Sequence, residues 1–141
     1  MFETVLIALN HSSLDARVIA TAKYLILPSL SKLVLVHVLS VSQENRDRDA
    51  SRPLSTAEDL TNHQIEEYLR KIGQELPGLD PIFEMVEGDV ETEIIRLANI
   101  YQANLIILGT RGLTGVDRIL AQSVSSQVVE QAPCTVLVVK P

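Results

Sequence analysis

The chain has 141 residues, of which 46% are apolar and 21% charged, with a formal net charge of −6. That length suits one domain with a proper core, expected to span residues 1–141, and is short for two. The composition is that of a soluble globular protein, and the negative balance argues against a nucleic-acid-binding face. No stretch of about 18 apolar residues marks a membrane span. The opening Met1-Phe-Glu-Thr lacks the basic start and cleavage site of a signal peptide, so a cytoplasmic location is the expectation.

Thr4-Val-Leu-Ile-Ala-Leu9 is apolar almost throughout and rich in branched side chains. Continuous rather than alternating hydrophobicity predicts a strand covered on both faces, as in parallel sheets. Asn10-His11-Ser12-Ser13 then supplies N-cap chemistry, and Leu14, Val18, Ala22 and Leu25 recur at helical spacing until Pro28. Lys32 to Leu39 reads as a second buried strand. From Ser42 to Leu54 the chain is polar and heavily charged, the pattern of a solvated linker, with partner docking the weaker reading. Ser55-Thr56 opens a second helix, with Leu60, Ile65, Leu69, Ile72 and Leu76 on one face, and Pro77-Gly78 ends it.

Pro81 to Glu87 is a weaker, alternating strand of the kind found at a sheet edge. Gly88-Asp89 leads into a third helix carrying Ile94, Ala98 and Tyr101. Leu105 to Leu108 is a fourth strand, a fourth helix runs from about Ser123 to Gln131, and Cys134 to Val139 forms a fifth strand. Alternating strands and helices predict an α/β three-layer sandwich with a parallel sheet. In such sheets ligands bind beyond the carboxyl ends of the strands, where the strand order reverses. Pattern alone leaves that order open.

Gly109-Thr110-Arg111-Gly112 follows the fourth strand, and Gln122-Ser123-Val124-Ser125 comes ten residues later. A strand that ends in a glycine loop and re-enters a helix through hydroxyl residues suits a phosphate, because glycines admit close approach and a helix N-terminus offers free N–H groups. The structural alternative is a tight turn at Gly109 and Gly112, a plain helix cap at Ser123 and a solvated charge at Arg111. His11 lies beside the proposed site, His37 reads as a packed strand residue, and His63 falls on a helix. Three scattered histidines and one cysteine have no metal-ligand spacing. Cys134 reads as inert packing. No nucleophile elbow or Gly-x4-Gly-Lys-Ser/Thr loop is present, and no residue stands out to position a hydrolytic water. An enzyme is not indicated beyond slow hydrolysis of a bound phosphate compound.

The ordered set Val5-Leu-Ile-Ala-Leu, Leu35-Val-His-Val, Gly88-Asp-Val-Glu-Thr-Glu-Ile-Ile, Asn104-Leu-Ile-Ile-Leu-Gly-Thr-Arg-Gly-Leu-Thr-Gly and Ala132-Pro-Cys-Thr-Val-Leu-Val-Val resembles the universal stress protein family over nearly the whole chain. The resemblance implies an adenine nucleotide alpha hydrolase-like sheet of order 3-2-1-4-5, with its switch point between strands one and four. It further implies an adenine nucleotide, ATP or AMP, with Mg2+ only alongside ATP. Carried over by position, Ala8, Leu9 and Asn10 would lie near adenine and ribose, and Val38 would touch adenine. Gly109, Arg111 and Gly112 would surround ribose and phosphates, and Gln122, Ser123, Val124 and Ser125 would meet phosphate oxygens.

Two positions depart from the family's Gly-x2-Gly-x9-Gly-Ser/Thr pattern. Gln122 stands at the third glycine, and Asn10 stands where an Asp is common. The implied function is a dimeric nucleotide switch in stress regulation. The alternative is a dimeric stress or interaction protein that keeps the fold without the ligand. Both expect a homodimer through the last strand, Thr135 to Val139, whose bare apolar edge is an association hazard. A protein partner is not specified by these residues.

Overall fold

The computed structural model describes residues 2–25, 32–39, 56–76, 78–110 and 124–141, the side chains of 56–61 excepted. The expected linker at 42–54 lies outside them. Five strands, β1 (Thr4–Leu9), β2 (Lys32–Leu39), β3 (Ile82–Glu87), β4 (Leu105–Gly109) and β5 (Thr135–Val139), form one sheet of order β3-β2-β1-β4-β5. Every neighbouring pair is parallel. Four helices are described: α1 (Leu14–Leu25), α2 (Thr56–Gln74), α3 (Val90–Tyr101) and α4 (Val124–Gln131).

The continuous hydrophobicity of β1 is explained by its position. It is the central strand, paired with β2 from Thr4 to Leu9 and with β4 from Val5 to Ala8. Because strand side chains alternate between faces, Val5, Ile7 and Leu9 join one core with Val18, Ile19 and Ala22 of α1 and Ile65, Leu69 and Ile72 of α2. Leu6 points the other way, into a second core with Ile94, Leu97 and Ala98 of α3 and Val128 of α4. Val5, Leu6 and Ile7 are all fully buried, and each such side chain stabilises the fold by about 1.5–3 kcal/mol. A polar residue anywhere in this run would face one core or the other.

Register is fixed at the far end by Asn104. Its Oδ1 accepts the Thr4 N–H at 2.9 Å, and its own N–H donates to the Thr4 carbonyl at 2.8 Å. β3 and β5 are the sheet's edges, and β3 is only half-buried, in keeping with its weaker pattern. Gly73 lets α2 close onto that edge: a Cβ there would stand 2.8 Å from the Phe83 ring.

Candidate functional site

β1 leaves the sheet toward α1 on one face, whereas α3 and α4 flank β4 on the other. The chain therefore parts in opposite directions at the carboxyl ends of β1 and β4, where a crevice must open. A cavity of about 260 Å3 lies there. One wall is apolar, made by Ala8, Val36, Val38, Val90, Ile94, Leu108 and Val124. The other carries the polar groups, with Asn10, Asp15 and His37 set among Leu9, Leu14, Leu39 and Gly109.

The β1–α1 loop owes its shape to Asp15. This residue is buried in the first turn of α1, at 3% exposure. Its carboxylate turns back and accepts the Asn10 N–H at 3.1 Å on Oδ1 and the His11 N–H at 2.8 Å on Oδ2. The Tyr68 hydroxyl of α2 donates to the same Oδ2 at 2.7 Å. Burial and this carboxylate push the Tyr68 phenol well above its ordinary range. His11 has φ 59°, in the left-handed region, and its ring meets Tyr68 edge-on at 4.4 Å. Around them, the Ser12 hydroxyl donates to Asn10 Oδ1 at 2.5 Å while accepting the Leu14 N–H at 3.3 Å. The expected N-cap role of this loop is thus met by Ser12.

His37 is packed, as its place in a strand suggested, and it also belongs to the cavity wall. Its Nδ1 lies 3.0 Å from the Leu9 carbonyl. A carbonyl only accepts, so Nδ1 carries the proton and ties the ends of β1 and β2 together. Burial is the main force lowering the imidazole pKa below 6.5, against the opposing pull of the Leu9 carbonyl and Asp15. Gly109 has a different reason to lack a side chain: a Cβ would stand 2.5 Å from Leu14 Cδ2 and 2.9 Å from Leu14 Cγ. Its bareness lets the start of α1 seat against the end of β4.

Of the residues expected at the site, Ala8, Leu9, Asn10, Val38, Gly109 and Val124 converge on this cavity. Ser125 is buried in the first turn of α4 and is not among the lining residues. Arg111, Gly112, Gln122 and Ser123 lie outside the described residues. Sequence reasoning missed Asp15, in the first turn of a helix, and Tyr68, which lies on α2 far from it in the chain. It also missed Val90 and Ile94, which complete the apolar wall. Cys134 is half-buried against the second core, and burial pushes its thiol pKa up. Among the described residues, no helix is long and apolar enough to cross a membrane, and no cluster of three or more His, Cys, Asp or Glu could hold a metal ion.

A doubly wound parallel sheet with an apolar-walled crevice at its switch point defines an α/β protein of the nucleotide-binding fold class. Comparison with known proteins narrows this. The model of the universal stress protein family matches residues 1–140. A universal stress protein of Thermus aquaticus is 30% identical over 99% of this chain and 100% of its own length. One from Methanocaldococcus jannaschii is 40% identical over 58% of this chain, a match spanning 49% of that longer protein. The chain belongs to the universal stress protein family.

Among solved structures, one determined to assign the biochemical function of a hypothetical protein is 25% identical, with TM-score 0.77, over 100% of this chain and 97% of that one. A universal stress protein in complex with cAMP (19% identical, TM-score 0.71, 98% and 96% covered) shares the fold. So does an Arabidopsis thaliana family member with AMP bound (20%, TM-score 0.63, 98% and 91%).

Proposed function

We propose that this protein binds an adenine nucleotide, ATP or AMP, in the crevice at the carboxyl ends of β1 and β4 and acts as a dimeric regulatory switch in the stress response. The observation that carries the reading is the cavity itself. It joins a slot of branched apolar side chains, suited to a flat base, to a polar wall suited to a sugar. Ala8, Leu9, Asn10 and Val38 hold base and ribose. Gly109, Arg111, Gly112, Gln122, Ser123, Val124 and Ser125 form the phosphate end, beside the start of α4, where the helix dipole favours negative charge. Structures of fold relatives with cAMP and AMP bound support the choice of adenine. Mg2+ accompanies ATP only, held by phosphate oxygens.

The chain acts as one domain in the cytoplasm and pairs through β5. That strand sits at a sheet edge with Val136, Leu137 and Val138 only half-buried, which favours a covering copy. Light scattering that gave a monomer at micromolar concentration would overturn the pairing.

A second reading, a stress or interaction protein without nucleotide, is favoured by one observation. The Asn10 side chain is already engaged by Ser12, and its N–H by Asp15. Calorimetric titration of nucleotide-stripped protein with ATP, AMP and a non-adenine control separates the two. Saturable adenine binding that Ala8→Leu abolishes by filling the slot is the expected result. No heat and no thermal shift would refute the nucleotide reading and leave the second.

A further inference from the structure

The β1–α1 loop is built as an anion site whose anion the chain supplies itself. Consecutive backbone N–H groups that turn inward through a left-handed residue form a concave nest for negative charge. Here the N–H groups of Asn10 and His11 converge, with His11 at φ 59°, and the Asp15 carboxylate fills the nest at 3.1 and 2.8 Å. The Tyr68 hydroxyl donates to the same Oδ2 as the His11 N–H, at 2.7 Å. Every donor the loop turns toward this point is therefore spent on an internal carboxylate, and that carboxylate belongs to a residue of the cavity wall.

We infer that Asp15 is a specificity-determining residue: it bars any anionic part of a ligand from the β1–α1 end of the crevice and admits only neutral, donor-bearing groups there. The physical ground is twofold. A phosphate in this nest would find the Asn10 and His11 N–H groups already taken, and it would meet a like charge in a partly desolvated place where Coulomb repulsion is strong. Sugar hydroxyls or an amino group, by contrast, can donate to remaining carboxylate lone pairs. The ligand class rests on the adenine-nucleotide reading. The exclusion of anions does not.

The test uses inorganic phosphate as the probe and amide resonances of 15N-labelled full-length protein as the readout. In the wild type, tens of millimolar phosphate should leave the Asn10 and His11 amides in place. Asp15→Ser vacates the nest, and the same two amides should then move saturably with phosphate. Movement in the wild type overturns the inference, and so does a folded Asp15→Ser protein whose amides stay still. Should Asp15→Ser fail to fold, Asp15→Asn keeps an acceptor for the loop while removing the charge. With it, the affinity for AMP relative to adenosine should rise roughly tenfold, the order expected for one like charge removed at about 10 Å. An unchanged ratio overturns the inference. If calorimetry finds no adenine binding, the nucleotide reading falls while the phosphate titration still decides the role of Asp15.

Discussion

Gly109→Ala separates two reasons for a glycine at the end of β4. The added methyl would lie 2.5 Å from Leu14 Cδ2, 2.9 Å from Leu14 Cγ and 3.4 Å from Val18 Cγ2. Ordinary carbon contacts lie at about 3.5–4.0 Å, so Leu14 must retreat by about an ångström. The Cγ contact means that turning the outer torsion alone gives no relief; the whole side chain or the start of α1 has to move. Such overpacking costs about 1–3 kcal/mol. For a chain of 141 residues the melting entropy is about 0.3 kcal/mol/K, so the melting temperature should fall by roughly 3–10 °C. Leu14→Ala alone should cost about 2 kcal/mol. In the double variant, however, the alanine methyl occupies space that Leu14 has left, so the combined loss should be smaller than the sum by about 1–3 kcal/mol. Urea denaturation of the four proteins measures this coupling. Strict additivity would refute the packing argument and return Gly109 to a backbone or ligand role.

Three further outcomes follow from the same wall of the crevice and from the β3 edge. Tyr68→Phe removes a hydrogen bond to the buried Asp15 carboxylate and should lower unfolding free energy by about 1.5–3 kcal/mol; an unchanged urea midpoint would contradict it. His37 has a pKa below 6.5 in the folded chain, so between that lowered value and 6.5 the unfolded chain binds a proton that the folded one does not. Stability should therefore fall with falling pH below about 6.5, with no contribution from this residue above it. His37→Gln, which keeps a donor for Leu9, should flatten that slope when melts are compared from pH 7.5 down to about 5.5. The Tyr101 phenol is pushed up to about 12, chiefly by its hydrogen bond to Glu84. Glu84→Gln removes the negative charge, and ultraviolet titration should place Tyr101 nearer its ordinary 10.

The architecture was legible because its signals are local. β1 and β2 announce themselves by runs that offer no polar face, and α1 and α3 by apolar residues at helical spacing. The reversal of strand order followed from the family resemblance rather than from periodicity, and the pairing of β1 with both β2 and β4 agrees with it. Part of the apolar half of the crevice was also readable, through Ala8 and Val38, whereas Val124, expected beside phosphate, lines the apolar wall. The polar half was legible only at Asn10. Asp15 and Tyr68 are 53 residues apart, and nothing in either segment says that they meet. An acidic residue in a helical first turn has an ordinary explanation in the helix dipole, which hid its part in shaping the loop before it. One signal could have been read: Asp15 follows a loop whose Asn10 and His11 tolerate left-handed backbone, a combination that favours an internal acceptor. Gly109 suggests either close approach of a phosphate or a tight turn, whereas the neighbour it admits is Leu14 of its own chain.

The crevice is lined from both cores, and this has a consequence for exchange of backbone protons with solvent. Leu9 and Leu14 on one wall belong with the α1–α2 layer, whereas Val36, Ile94 and Leu108 belong with the α3–α4 layer. An occupant would touch both layers at once, and also β1 and β4, whose amides lie in the middle of the sheet and open only when the whole structure does. Its binding energy would thus be felt in the slowest-exchanging protons rather than in a surface loop. Saturation would lengthen their lifetimes by the factor 1 + [L]/Kd, a record of occupancy written into the middle of the sheet.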